Sequence, residues 1–239
     1  MNLEETIYKR RSIRDYEEET LTDEEVGELR EYIDSVKVLD ENLHWSYEIV
    51  PKENIKTILP WKSPHYLLLF SEEKEKCLEN VGFIFQQVDL FIQSKGLGSC
   101  WLGMASPKNF ENSDSNQKFV IAISFGRTSV DYRKITDFRR NDLSQISDRV
   151  DEKLIPAQLA PSATNSQPWY FTHNDDGTYN IYRKKQNLLK RRFTEKWNKI
   201  DIGISLAHLY IANSETFRFF IRNDAEELSG YYYEGSFEI

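Results

Sequence analysis

The sequence predicts an α+β fold, and three observations support this prediction. The chain has 239 residues, of which 39% are hydrophobic and 13% aromatic, and a chain of this size buries about 70% of its unfolded surface. Apolar residues at helical spacing alternate along it with short strand-like segments. Several connections are short enough for antiparallel pairing, so we expect a mixed or antiparallel sheet flanked by helices, not a doubly wound parallel sheet.

The elements of the first half are predicted in order. A short helix covers residues 3–9, and a second begins at the capping box formed by Thr22 and Glu25. Strands are predicted at residues 45–50, 66–70 and 119–125, because these segments alternate or are rich in apolar residues. Between the last two strands, residues 81–92 form a strongly apolar helix that Gly96 ends.

The second half repeats this order. Strands are predicted at residues 169–172, 179–182 and 217–221, with a helix around residues 202–209. Asn80-Val81-Gly82 aligns with Asp201-Ile202-Gly203 at an offset of 121, and Tyr16 aligns with Phe138 at an offset of 122. The charged stretch 131–142 joins the halves without a low-complexity linker. We therefore expect one compact unit, residues 1–239, made of two related halves, 1–130 and 131–239.

The charge and the cysteine content of the chain limit the classes of function that it can have. With 31 basic and 39 acidic residues the net charge is −8, which excludes nonspecific binding to nucleic acid or to anionic membranes as the main role. Two cysteines provide neither a disulfide framework nor zinc-ligand spacing. The first residues lack the basic and apolar regions of a signal peptide, and no apolar stretch reaches the roughly 20 residues of a membrane span. A cytoplasmic protein that acts on a small molecule is expected.

The first candidate functional segment is Arg10-Arg11-Ser12-Ile13-Arg14. Its guanidinium groups and hydroxyl offer charge-assisted, bidentate hydrogen bonds that suit a phosphate monoester. Each such bond contributes about 1.5–3 kcal/mol where water is partly excluded. The alternative is a solvated basic turn that balances the acidic residues 17–19.

Two further segments are candidates for contact with a flat ligand. Residues 160–169, APSATNSQPW, carry no charge and contain two prolines and many neutral donors and acceptors, which suit a flat heteroaromatic ligand. The alternative is a Pro-terminated helix followed by an ordinary turn. Residues 96–103, GLGSCWLG, have glycines that let a backbone approach a ligand, or they form a helix C-cap and a turn into a strand. The second of these is no dinucleotide fingerprint, because it follows a helix and lacks the G-x-G-x-x-G spacing.

Together these three segments resemble the nitroreductase family of FMN-dependent oxidoreductases, whose hallmarks include R-R-S-x-R, A-P-S-x-x-N-x-Q-P-W and G-L-G-x-x-W-x-G. Members are usually homodimers with FMN at the subunit interface. The resemblance implies that the phosphate and ribityl chain are bound by Arg10, Arg11, Ser12 and Arg14, with Arg133 as a later phosphate contact. It also implies that the flavin ring is bordered by Pro161, Ser162, Ala163 and Asn165, and that its reactive edge meets the backbone of Trp101, Leu102 and Gly103.

The distribution of the motifs differs from the usual family pattern. The first half keeps the arginine cluster and the glycine segment, whereas residues 43–47 retain only Trp45 of the proline segment. The second half keeps residues 161–169 but has Asp137-Phe138-Arg139-Arg140 in place of the arginine-serine motif. Each half has what the other lacks, so we expect a dimer fused into one chain, with one FMN between its halves and no obligatory partner subunit. This resembles the duplicated branch of the family.

The activity implied by the resemblance is hydride transfer from transiently bound NAD(P)H through FMN to a nitroaromatic, a quinone or a similar small acceptor. The protein then mainly positions its ligands. Consistent with this, the four histidines form no evident catalytic dyad and no G-x-S-x-G motif occurs, so no catalytic side chain and no metal ligand is assigned. The alternatives are a flavin-binding protein without turnover and an interaction module with a vestigial site.

Overall fold

The computed structural model describes residues 1–109 and 114–239, without the side chains of residues 188–193. Helix α1 spans Leu3–Ile7 and α2 spans Asp23–Ser35. The predicted capping box of α2 is confirmed, because the Thr22 hydroxyl accepts from the Glu25 amide at 3.2 Å and the Thr22 amide donates to the Glu25 carboxylate at 2.8 Å. These bonds satisfy two backbone donors at the start of the helix.

The remaining elements follow the predicted order closely. In the first half they are β1 (Trp45–Pro51), β2 (Ile55–Thr57), β3 (His65–Glu72), α3 (Cys77–Ser94), β4 (Gly98–Leu102), β5 (Ala105–Pro107) and β6 (Gln117–Gly126). In the second half they are α4 (Leu143–Ile146), α5 (Ile155–Leu159), β7 (Trp169–His173), β8 (Tyr179–Lys184), α6 (Leu188–Ala212), β9 (Arg218–Phe220) and β10 (Tyr231–Glu238).

The strands form two four-stranded sheets with the same connectivity. The first has the order β1-β3-β6-β4 and the second the order β7-β8-β10-β9, while β2 and β5 form a separate pair. In both sheets the long helix, α3 or α6, follows the second strand in chain order and precedes the third. All pairings between the named strands of the described residues are antiparallel. We expected a mixed or an antiparallel sheet, and the sheets of named strands are antiparallel.

Strands β2, β5 and β10 were not predicted, whereas β4 corresponds to the alternative interpretation of the glycine segment, a helix C-cap and a turn into a strand. The glycine segment is a loop only at its start, where Gly96 has φ +82°, and continues as β4. Its sequence GSCWL lacks the alternation that marks a half-buried strand. In β10 the register shifts between Tyr233 and Gly235, and such a bulge breaks the period of two on which a sequence prediction depends. Strand β4 forms because β6 supplies backbone hydrogen-bond partners, and β10 forms because β8 and β9 do.

The core lies where α3 and α6 cross. One cluster of buried apolar residues includes Val81, Phe85 and Val88 of α3 with Ile202, Leu206 and Leu209 of α6. At the crossing the backbones touch: a Cβ on Gly82 would overlap the carbonyl of Ile200, and one on Gly203 would overlap the carbonyl of Glu79. Residues 82 and 203, like 79 and 200, are 121 positions apart. The contact is thus reciprocal, as in an interface around a two-fold axis.

No helix in the described part of the chain is both long and apolar enough to cross a bilayer.

Candidate functional site

A cavity of about 270 Å³ lies between the two halves and brings together residues from all three candidate segments. Of the predicted site residues it is lined by Ser12, Arg14, Trp101, Gly103, Pro161, Ser162 and Ala163. Its wall also includes residues that were not predicted, among them Trp61, Trp197, Ile200 and Asp201. The N-terminal segment and the proline segment, about 150 positions apart in the sequence, therefore face one space.

Ser12 and Arg14 reach the cavity because their segment runs as an extended strand beside β4. Ser12 forms an isolated parallel bridge with Ser99, and the Ile13 amide donates to the Ser99 carbonyl at 2.9 Å. Side chains alternate along an extended segment, so Ile13 points into the protein and is 4% exposed. The Arg14 guanidinium lies over the Trp61 ring, 5.3 Å from its centroid.

Arg10 lies beneath this segment and does not line the cavity. Its Nε donates to Asp89 Oδ2 at 2.9 Å, and the two side chains are 1% and 0% exposed. Asp89 also accepts from the Ser99 hydroxyl at 2.6 Å and from Gln86 Nε2 at 2.9 Å. The buried carboxylate thus ties α3 to β4 and to the arginine segment, while Arg10 Nη2 is buried without a hydrogen-bond partner among the described residues.

Arg10 belongs to a cluster of cations with Arg133 and Arg140. Burial, together with the positive charges of Arg10 and Arg133, lowers the pKa of Arg140 to about 10. The pKa of Arg133 is also lowered, by burial and by the charges of Arg10 and Arg11. Crowded guanidinium groups repel one another and favour a bound anion. Arg140 bonds to Asn165, which follows the cavity residue Thr164, and Arg10 precedes the cavity residue Ser12 by two positions, so the cluster is joined to both sides of the cavity wall.

Arg140 was not predicted as a site residue. Its Nη1 donates to Asn165 Oδ1 at 2.7 Å and its Nη2 to the Leu159 carbonyl at 3.1 Å. Its Nε is buried and finds no acceptor in the described part of the chain. The sequence signal was the Arg139-Arg140 pair in the charged stretch, but spacing alone does not distinguish it from a solvated basic pair.

The loop that carries the proline segment has an unusual backbone. Thr164, Asn165 and Gln167 all have positive φ, at 53°, 58° and 45°. For residues other than glycine this conformation costs on the order of 1 kcal/mol or more each, and it concentrates at functional sites. The loop is held by side chains, since the Ser162 hydroxyl accepts from the Gln167 amide at 2.9 Å and Asn165 Nδ2 donates to the Arg139 carbonyl at 2.9 Å.

The predicted residues that the glycine segment contributes to the cavity wall are Trp101 and Gly103. Trp101 is held by a hydrogen bond from Nε1 to Gln86 Oε1 at 3.0 Å, and Gly103 faces the Trp197 ring. The side chain of Leu102 is buried in a separate core cluster. Five predicted residues are outside the described cavity wall, namely Arg10, Arg11, Leu102, Arg133 and Asn165. Arg11 instead donates from Nη1 to the Asp131 carbonyl at 3.1 Å.

Comparison with known sequences decides the family. The model of a protein family described as "Putative TM nitroreductase" matches residues 2–213. The chain belongs to this family. The described residues of this nitroreductase-family chain include no group of three or more His, Cys, Asp or Glu side chains placed to hold a metal ion. No curated protein is significantly similar to it.

The chain is similar to several solved structures, and the first of the following three has the same fold. A "putative nitroreductase" from Thermotoga maritima is 20% identical, with a TM-score of 0.64, over 99% of this chain and 92% of that chain. A nitroreductase family protein from Clostridium difficile is 15% identical, with a TM-score of 0.50, over 64% of this chain and 98% of that chain. An FMN-dependent nitroreductase from Clostridium difficile is 18% identical, with a TM-score of 0.43, over 57% and 98%. The first of these spans nearly the whole nitroreductase-family chain.

Proposed function

We propose that the protein binds FMN in the cavity between its halves and passes hydride from NAD(P)H to a small acceptor such as a nitroaromatic or a quinone. Membership of the nitroreductase family supports an oxidoreductase. The observation that carries the cofactor assignment is the pair of buried guanidinium N–H groups, on Arg10 and Arg140, that lack an acceptor among residues 1–109 and 114–239. Two such donors beside a cavity call for an anionic ligand.

The donor set fits FMN as a whole. The phosphate belongs at the arginine cluster, with Arg133 as a third cation, and the ring belongs in the cavity between Trp101 and the proline loop. The cavity wall also offers a neutral donor, because Trp61 Nε1 is buried and unpaired within the described chain. Indole N–H groups bond to acceptors of the kind that flavin carbonyls and ring nitrogens provide.

When bound, FMN supplies the hydride-transfer chemistry. The chain's own residues bind, orient and shield. The arginines fix the phosphate, and Arg14 presents a cation to the ring-binding cavity from its place over Trp61. The strained loop holds Pro161 and Ser162 at the cavity wall, where apolar side chains exclude water. Anaerobic oxidation of NADH or NADPH, with and without added menadione, distinguishes turnover from flavin binding alone.

One FMN per chain is proposed, because the halves are related but their cavities are not equivalent. The shared sheet connectivity and the reciprocal glycine contact support an internal duplication. Phe83, the counterpart of the cavity residue Ile204, lines a groove of about 690 Å³ on the other side. The charged residues of that groove, Lys37, Glu41 and Arg218, are all exposed. Exposed charges in water bind phosphate weakly, so a single high-affinity site is expected.

The replacement Arg140→Gln tests the phosphate assignment. We expect it to raise the Kd for FMN about 10- to 100-fold, because one charge-assisted bond contributes about 1.5–3 kcal/mol. The Kd for riboflavin, which has the same ring without phosphate, should rise by a smaller factor, because only the bond from Arg140 to Asn165 in the ring-bordering loop is then lost. Both constants are measured by quenching of flavin fluorescence in the flavin-free protein.

The matched control is Arg139→Gln, since Arg139 is adjacent and exposed. It removes the same charge and should leave the Kd for FMN nearly unchanged. Equal losses of FMN and riboflavin affinity in Arg140→Gln would contradict a phosphate contact. A wild-type protein that binds neither flavin would overturn the proposed function.

A further inference from the structure

Asp201 is a buried acid in the wall of the proposed flavin cavity that no part of the proposed function uses. It lies on α6 and is 3% exposed. The Ala163 amide donates to both of its oxygens, at 3.0 Å to Oδ1 and 3.2 Å to Oδ2. Asp201 therefore holds the strained loop at Ala163, whose neighbours Ser162 and Thr164 line the cavity.

The related position in the first half shows what this anchor needs. Asn80 occupies the place in α3 that Asp201 has in α6, and its Oδ1 accepts from the Leu39 amide at 2.9 Å. Asn80 is fully buried and is outside the described wall of the flavin cavity. A neutral oxygen acceptor thus suffices to anchor a loop at this position. The related residue that faces the cavity, Asp201, is an acid instead, so it can gain or lose a proton.

We propose that Asp201 is a positioning residue for the flavin, which holds the backbone of the flavin-bordering loop and makes cofactor retention depend on pH. This inference rests on the proposed FMN site. Burial raises the pKa of Asp201 to about 8, against the opposing hydrogen bonds from Ala163 and Ser166. At pH 7 the carboxyl group is therefore neutral and accepts from Ala163 as an amide oxygen would.

The sign of the pH dependence follows from desolvation. A flavin ring over the cavity removes the remaining water from Asp201, and this further disfavours the carboxylate. Flavin binding is thus coupled to the neutral form, and affinity falls as the pH rises through 8. If bound flavin raises the pKa of Asp201 by about one unit or more, the affinity for flavin is about 5- to 10-fold weaker at pH 9 than at pH 7. The second pKa of a phosphate monoester is about 6, so the charge of the flavin phosphate changes little between pH 7 and pH 9.

Comparison of variants separates the pH dependence assigned to Asp201 from that of the other titratable groups near it. Arg14 and Cys100 share the cavity wall, and burial raises the pKa of the Cys100 thiol above its ordinary range. On α6, burial and the charge of Arg10 lower the pKa of His208 to about 3, so it stays neutral. On the facing helix α3, burial and the charge of Glu234 raise the pKa of Glu79 to about 7. All of these groups remain in a variant changed only at Asp201.

The test compares wild type with Asp201→Asn and Asp201→Ala. The Kd for FMN is measured by fluorescence quenching at pH 7, 8 and 9. Wild-type affinity should weaken about 5- to 10-fold across this range, and that of Asp201→Asn less than about twofold, since asparagine keeps the acceptor without the titration. Asp201→Ala should bind FMN weakly at every pH, because the Ala163 amide loses its partner.

A second readout uses the flavin-free proteins. A carboxyl group whose folded pKa is raised contributes stability that is lost as the pH rises to about 8. The midpoint of thermal unfolding of Asp201→Asn should therefore rise relative to wild type between pH 6 and pH 8.5. Equal pH dependence of FMN binding in wild type and Asp201→Asn would overturn the inference and leave the proposed function standing. Wild type that binds no FMN at pH 7 would overturn both.

Discussion

Replacing Gly203 by alanine is expected to lower the free energy of unfolding by about 3 kcal/mol or more. The new methyl group would overlap the carbonyl of Glu79 in α3, which is backbone and has no other rotamer to adopt. The two helices must then separate, and α6 carries Trp197, Ile200 and Asp201 of the cavity wall. FMN affinity should fall together with stability. Urea denaturation followed by circular dichroism measures the free energy of unfolding, and quenching of flavin fluorescence measures the affinity for FMN.

Gly27→Ala is the matched control. Gly27 lies within α2, and a Cβ there would have no neighbour within 4 Å among the described atoms. Alanine in an exposed helix interior is favoured over glycine by about 1 kcal/mol, so this variant should be unchanged or more stable. Gly82→Ala should resemble Gly203→Ala because the contact is reciprocal. Wild-type stability in both crossing variants would contradict the close approach of the helices.

Arg10→Met is expected to cost about 3–5 kcal/mol of stability, because it leaves the Asp89 carboxylate buried without its cation. Hydrogen bonds from Ser99 and Gln86 remain, but they do not replace the charge. The same variant removes the buried Nη2 that we assign to the phosphate. Both unfolding by urea and FMN binding are therefore expected to change.

The double variant Arg10→Met with Asp89→Asn separates these two roles. Removing both charges avoids the unpaired carboxylate and should restore part of the lost stability. The phosphate contact stays absent, so FMN binding should remain weak while riboflavin binding recovers. Recovery of full FMN affinity in the double variant would show that Arg10 acts only through the fold. Failure to regain any stability would contradict the assigned strength of the Arg10–Asp89 pair.

Local chemistry made much of the site predictable. The charges of residues 10–14 and the dense donors of residues 160–169 are visible without coordinates, and Ser12, Arg14, Pro161 and Ser162 do line one cavity. Leu102 was predicted to meet the flavin through its backbone, and this stays a prediction. As part of strand β4, its side chain lies in a separate core cluster. The direction of a side chain along a strand depends on the two-residue period, which the sequence GSCWL does not reveal.

Arg140, Trp61 and Asp201 were missed for a related reason. Each resembles an ordinary surface base, aromatic residue or helix acid in the sequence, and only burial and neighbours change its chemistry. Arg140 becomes a ligand candidate because the charges of Arg10 and Arg133 act on it, and burial of α6 raises the pKa of Asp201. Desolvation and charge proximity depend on distances between segments that are far apart in the chain.

The sequence alone determined the order of the two long helices and of six strands, the helix cap at Thr22 and the three segments that carry the family's motifs, because these depend on residues within a few positions of each other. The tertiary structure decided which of those residues share a cavity, which are buried as structural ion pairs, and how closely α3 and α6 approach at Gly82 and Gly203. Packing and desolvation act through space, so their outcome is fixed only when the chain is folded.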